Sequence, residues 1–102
     1  MKVVWTEQAL LRLAEIEDYI WANNPAAAVA HTERLIDRAE TLGENPRIGR
    51  VVPELPGGPL RELIDGKYRI VYRLRGERVE IVTVFEGHRL FPTDDLPEQS
   101  EE

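Results

Sequence analysis

The side chains best equipped for chemistry in this chain of 102 residues are arginines, and they are unevenly placed. Arg69, Arg73 and Arg75 share one side of the run Tyr68 to Arg75; Arg61 lies on the segment before it and Arg89 follows the segment after it. Planar guanidinium groups gathered on one surface suit a clamp for carboxylate or phosphate. Strand arginines also lie along apolar surface as amphipathic cover, and Glu62 and Glu86 are placed to pair with some of them. Little else could run a reaction. There is no cysteine and the one serine is Ser100, so a nucleophile matched to a base is not expected. His31 reads as an exposed helix residue. His88 follows the last strand and reads either as a polar loop residue or as an acid–base or partner-contact group. Metal ligands are too scattered for a site, and no cofactor is expected.

The charge is divided along the chain. Residues 1–46 carry four basic and eight acidic side chains, residues 47–91 nine basic and six acidic, and residues 92–102 five acidic and no basic ones, within a net charge of −6. One local basic face in an acidic protein suits a docking surface for an acidic partner. It does not suit general adhesion to nucleic acid, which depends on neutralising many phosphates. The absence of cysteine fits a reducing, cytoplasmic setting. Met1 to Trp5 is too short and too soon amphipathic for a signal peptide, and no apolar run approaches the ~20 residues of a membrane span.

Several elements must position these side chains. Val3 to Trp5 reads as a short strand. Thr6 is placed to cap a helix, with Ala9, Leu13, Ile16 and Ile20 on its core face. Asn24 and Pro25 open a second helix whose apolar stripe is Val29, Ile36 and Ala39, flanked by Leu35 and Leu42, with Gly43 at its end. Two helices with so short a break form an antiparallel hairpin. Residues 43–59 hold four of the seven glycines and four of the seven prolines, a long connection expected to wrap across the sheet. Leu60 to Ile64 is a strand, and Asp65-Gly66 a hairpin signal. Tyr68, Ile70, Tyr72 and Leu74 alternate with Arg69, Val71, Arg73 and Arg75, which marks a half-buried strand. Val79, Ile81, Thr83 and Phe85 continue on a fourth strand, placed centrally because Val82 and Val84 make its second side apolar too. Residues 1–91 read as one domain followed by an acidic tail, 92–102, expected to fray from Thr93 to Glu102. The order β-α-α-β-β-β specifies an α+β fold, with a helical hairpin on one face of a small, mainly antiparallel sheet. The other face is left to the arginines and the Gly/Pro loop. Trp5 and Trp21 bracket the first helix, and Trp21, one step off its stripe, is a candidate partner anchor.

Taken in order, Trp5-Thr6-Glu7-Gln8-Ala9, Leu13 through Ile20, Leu42 through Pro46 with Arg50, Leu60-Arg61-Glu62-Leu63, Tyr68 through Arg73, and a last strand leading into Gly87-His88-Arg89 resemble the ParE/RelE toxin superfamily of bacterial type II toxin–antitoxin systems. The resemblance covers about residues 3–91. It implies the β-α-α-β-β-β fold, and an antitoxin whose C-terminal segment folds on the toxin. RelE-like members cut messenger RNA on the ribosome with basic residues of the sheet; ParE-like members inhibit DNA gyrase. Arg61, Arg69 and Arg89 resemble the nuclease's basic residues, with His88 as the remaining proton-transfer group. Leu63 stands where a second basic residue is expected, and Phe91 has no hydroxyl. The resemblance therefore implies a ParE-like gyrase inhibitor without catalytic residues of its own, with a RelE-like ribonuclease as the alternative. Its expected target contacts are Arg61, Arg69, Arg73, His88, Arg89 and Phe91. Its expected contacts to a ParD-like antitoxin are Trp21, Arg69 and Arg73, in a toxin–antitoxin hetero-oligomer that reads no nucleic-acid sequence directly.

Overall fold

A computed structural model describes residues 1–97. Strand β1 (Lys2–Trp5) leads into helix α1 (Glu7–Trp21) and helix α2 (Pro25–Glu40), followed by β2 (Arg50–Val51), β3 (Leu60–Asp65), β4 (Tyr68–Arg75) and β5 (Arg78–Glu86). The sheet order is β1-β5-β4-β3-β2, with β1 parallel to β5 and the other pairs antiparallel. The α+β architecture is the expected one, and β5 lies inside the sheet. The fifth strand was not expected: the Gly/Pro connection contributes β2 at one edge. Two residues are too few to leave a periodic signature, and their pairing depends on β3 rather than on local preference.

Both helices begin as the sequence suggests. The Thr6 hydroxyl accepts from the Ala9 N–H at 3.0 Å, and the Asn24 side chain accepts from the Ala27 N–H at 3.1 Å with Pro25 in the first turn. Ala9 and Leu13 of α1 and Leu35 and Ala39 of α2 pack with Leu63, Ile70, Tyr72, Val79, Ile81 and Val84 of the sheet. Val29 does not join this core; it is exposed, and Ala28 takes the buried place. The small Ala28 and Ala39 lie on the inner face of α2 beside Leu35, so the face that is buried starts one residue earlier than the Val29 stripe.

The opposite face of the sheet carries a second core. Val52, Leu60, Val71, Val82 and Phe85 are buried there, with Leu55, Phe91 and Leu96 packed against them. The Gly/Pro connection therefore does cross the sheet, as expected, but it does not cover the face alone. Residues beyond 91 help. Asp95 lies in a 3-10 turn (Thr93–Asp95), is buried, and accepts hydrogen bonds from Gln8, Arg12 and Thr83. The expectation that the tail frays from Thr93 does not hold for this stretch, because an acidic residue meets a basic and two polar partners; residues 98–102 lie outside the described part.

A bulge reorders β5. Val71 pairs with Thr83 and Tyr72 with Ile81, which leaves Val82 as the extra residue. Beyond it the side chains change faces. Val84, not Thr83, joins Val79 and Ile81 in the helix-side core, while Val82 and Phe85 join the second core. Simple alternation along β5 puts Thr83 and Phe85 with Ile81, and the bulge overturns it.

Candidate functional site

Register divides the arginines. Arg61 pairs with Tyr72 and Glu62 with Val71. Tyr72 faces the helices and Val71 the second core. Directly paired residues share a face, so Arg61 lies on the helix side, whereas Arg69, Arg73 and Glu62 lie on the other. The expected single gathering of Arg61, Arg69 and Arg73 is therefore corrected. One-residue phase along β3 decides it, and the arginine's own sequence position does not reveal that phase.

Arg69 is enclosed. Its Nε donates to Glu62 Oε1 at 2.7 Å, and its two Nη groups donate to the carboxylate of Glu54 at 2.9 and 2.6 Å. The guanidinium carbon lies 5.0 Å from the ring centre of Phe85 and 5.6 Å from that of Phe91, and the two rings meet edge to face at 5.5 Å. Glu62 is fully buried and accepts a second bond from Arg50 Nε at 2.7 Å. Hydrogen bonds from Arg69 hold the Glu54 carboxyl down to about 2, and those from Glu54 and Glu62 push the guanidinium of Arg69 up. Glu54 on one edge, the buried Glu62 on the other and two rings leave this guanidinium neither of its bidentate edges for an outside ligand. Phe91 is held in the same assembly. Its role is to close the second core over Arg69.

Arg73 is half-buried and donates to Glu80 at 2.6 Å. Arg61 donates to the backbone carbonyls of Gly49 at 2.7 Å and Arg47 at 3.3 Å, pinning the start of β2. Gly49 is required there. A Cβ at this position would sit 2.6 Å from both the Glu62 carbonyl and the Tyr72 hydroxyl, the same hydroxyl that accepts from the Gly49 N–H at 2.9 Å.

The remaining candidates lie past β5. His88 and Arg89 are largely exposed; Arg89 Nε donates to Glu86 at 3.2 Å, and Leu90 beside it is 95% exposed. Lys67 also pairs with Glu86, and these hydrogen bonds lower the Glu86 carboxyl. Next to this segment a groove of about 400 Å³ runs between α1 and β5, lined in part by Ile16, Tyr19, Val84, Phe85, Arg89 and Pro92. Trp21, at the end of α1, is half exposed. His31 is exposed on α2, its ring edge-on to Tyr68 with centres 6.4 Å apart.

Sequence reasoning missed Glu54 and Asp95, the acidic partners that organise Arg69 and Arg12. Glu54 sits among prolines and Asp95 among acidic tail residues, where nothing periodic marks a buried role. Burial pushes the Asp95 carboxyl up, but the hydrogen bonds from Arg12, Thr83 and Gln8 outweigh it and leave it below the usual range. No cluster of three or more His, Cys, Asp or Glu among the described residues could hold a metal ion, and no helix there is long and apolar enough to cross a membrane.

A mixed five-stranded sheet with a helical hairpin on one face, and basic residues locked into its other face, defines a small α+β domain. The sequence model described as the ParE toxin of the type II toxin–antitoxin system parDE matches residues 3–91. The chain belongs to this family. It is 38% identical over 95 residues to a Sinorhizobium fredii protein named as a candidate toxin, Y4kP, covering 89% of this chain and 93% of the relative. It is 39% identical over 90 residues to Toxin RelE2 of Caulobacter vibrioides, covering 87% of this chain and 98% of that one. A chain from the chromosomal ParDE system of P. aeruginosa superposes with a TM-score of 0.74 at 21% identity, over 84% of this chain and 95% of the other, and so shares its fold.

Proposed function

We propose that this toxin inhibits DNA gyrase by binding and has no reaction of its own, and that a ParD-like antitoxin neutralises it in a hetero-oligomer in the cytoplasm. The observation that carries this reading is the state of Arg69. A ribonuclease clamp needs guanidinium groups that converge on one phosphate with free donors. Here both bidentate edges of Arg69 are taken by Glu54 and Glu62 beneath Phe91, and Arg61 lies on the other face, bonded to backbone carbonyls. In the proposed complex the target contacts fall to the exposed segment His88–Arg89, with the rim of Phe91 as a minor contributor and Arg73, opposite Glu80 toward the other end of β4, as a separate one. Arg61 and Arg69 then act as structural supports. The antitoxin covers Trp21 and the neighbouring groove along α1, an apolar trough with charged walls that suits an amphipathic segment.

One observation favours a ribosome-dependent ribonuclease: the second relative carries the name RelE2. On that reading Arg61, Arg69, Arg89 and His88 are the catalytic candidates. Expression of the toxin alone in a bacterial host separates the two. Gyrase inhibition predicts double-strand breaks and an SOS response with full-length transcripts. The ribonuclease predicts transcripts cut within codons on the ribosome, with unbroken chromosomes.

A further inference from the structure

The turn between β4 and β5 closes with Gly76 at φ +62°, and it brings Arg75 directly opposite Arg78. On the far side of β5, Lys2 of β1 is the register partner of Arg78. Three cations thus stand in one row across three adjacent strands, spanning roughly 10 Å at two strand spacings. They share a face. Their chain neighbours Val3, Leu74 and Val79 belong to the helix-side core, so Lys2, Arg75 and Arg78 project from the opposite side. All three are exposed, and none forms an ion pair among the described residues, whereas Arg73 in the next row is paired with Glu80 at 2.6 Å. Glu77 in the turn forms no ion pair with them either.

Like charges directly opposite across strands cost stability. This chain has 19 acidic residues and a net charge of −6, yet it places cation beside cation on two successive strand pairs. We propose that the row Lys2–Arg78–Arg75 is a docking surface for an acidic segment of a protein partner, bound through two or three carboxylates. A protein segment fits better than nucleic acid. Three charges on an acidic body neutralise few phosphates of a polymer carrying one charge per ~1.7 Å, while a short run of Asp and Glu matches the row's length and charge. The surface contains none of the residues assigned above to gyrase or antitoxin, so the inference stands apart from that reading.

The test is fluorescence anisotropy with a labelled twelve-residue peptide of alternating Glu and Asp, at low ionic strength. It compares the full chain, the Arg75→Gln/Arg78→Gln double variant and an Arg47→Gln control. The expected result is binding by the parent and the control, weakened about tenfold in the double variant. Thermal unfolding of the double variant should show a midpoint equal to or above the parent's, because a repulsion has been removed. Equal binding by parent and double variant, no binding by the parent, or tighter row-dependent binding of a thymidine oligonucleotide would each overturn the proposal. So would a lowered midpoint, since the row would then be structural. Neither gyrase nor antitoxin enters the assay, so its failure leaves the proposed function untouched.

Discussion

The Arg69 guanidinium shows how a residue with the chemistry of a clamp can be consumed by its own fold. It joins a fully buried Glu62 to Glu54 and lies against Phe85 and Phe91. Removing one partner of a buried ion pair leaves the other charge uncompensated, at about 3–5 kcal/mol. Arg69→Ala is therefore expected to destabilise the domain by about that amount, measured by urea unfolding. Arg69→Lys should recover only part of the loss, because an ammonium group cannot reproduce the bidentate contact. The same network has a pH signature. The Glu54 carboxyl is depressed in the folded chain to about 2 from an ordinary 4.5. Its contribution is thus present above pH 4.5 and lost as pH falls toward 2. Thermal midpoints taken across this window should fall less steeply for Glu54→Gln than for the parent; identical slopes would show that the pair adds nothing in solution.

The elements were largely legible where periodicity or capping marks them. Thr6, Asn24 and Pro25 fix the helix starts, and the alternation of Tyr68 to Arg75 fixes β4. What escaped depends on contacts distant in sequence. Strand β2 exists because β3 offers it an edge, and the face of Arg61 depends on that strand's phase against β4. The bulge at Val82 could not be read from a run in which every residue from Ile81 to Phe85 is apolar or threonine. The segment after Phe91 looked like a tail because its sequence is acidic, but Asp95 gives that acidity a partner in Arg12, at 2.7 Å. Asp95→Ala should cost about 1–3 kcal/mol by leaving Thr83 and Arg12 without their acceptor, and should raise amide exchange around residues 91–96. Gly49→Ala tests the approach of β2 to Tyr72. Overpacking there should cost about 1–3 kcal/mol, read as a lowered denaturation midpoint.

At the scale of the whole molecule, two cores hold a single sheet, and each is closed by a different part of the chain. The helical hairpin covers one face; the Gly/Pro connection and residues 91–96 cover the other. The basic character noted in residues 47–91 is real but distributed. Part is spent inside the second core, part pins β2, and part stands uncovered at the β4–β5 turn. A toxin built this way has no convergent basic pocket among Arg61, Arg69 and Arg89, and its proposed harm comes from occupying a target. Purified toxin titrated into a gyrase supercoiling reaction tests that most directly. The account predicts dose-dependent loss of supercoiling with accumulation of cleaved plasmid. Undiminished supercoiling at toxin in large excess over gyrase, from a preparation that still arrests growth when expressed, would contradict it.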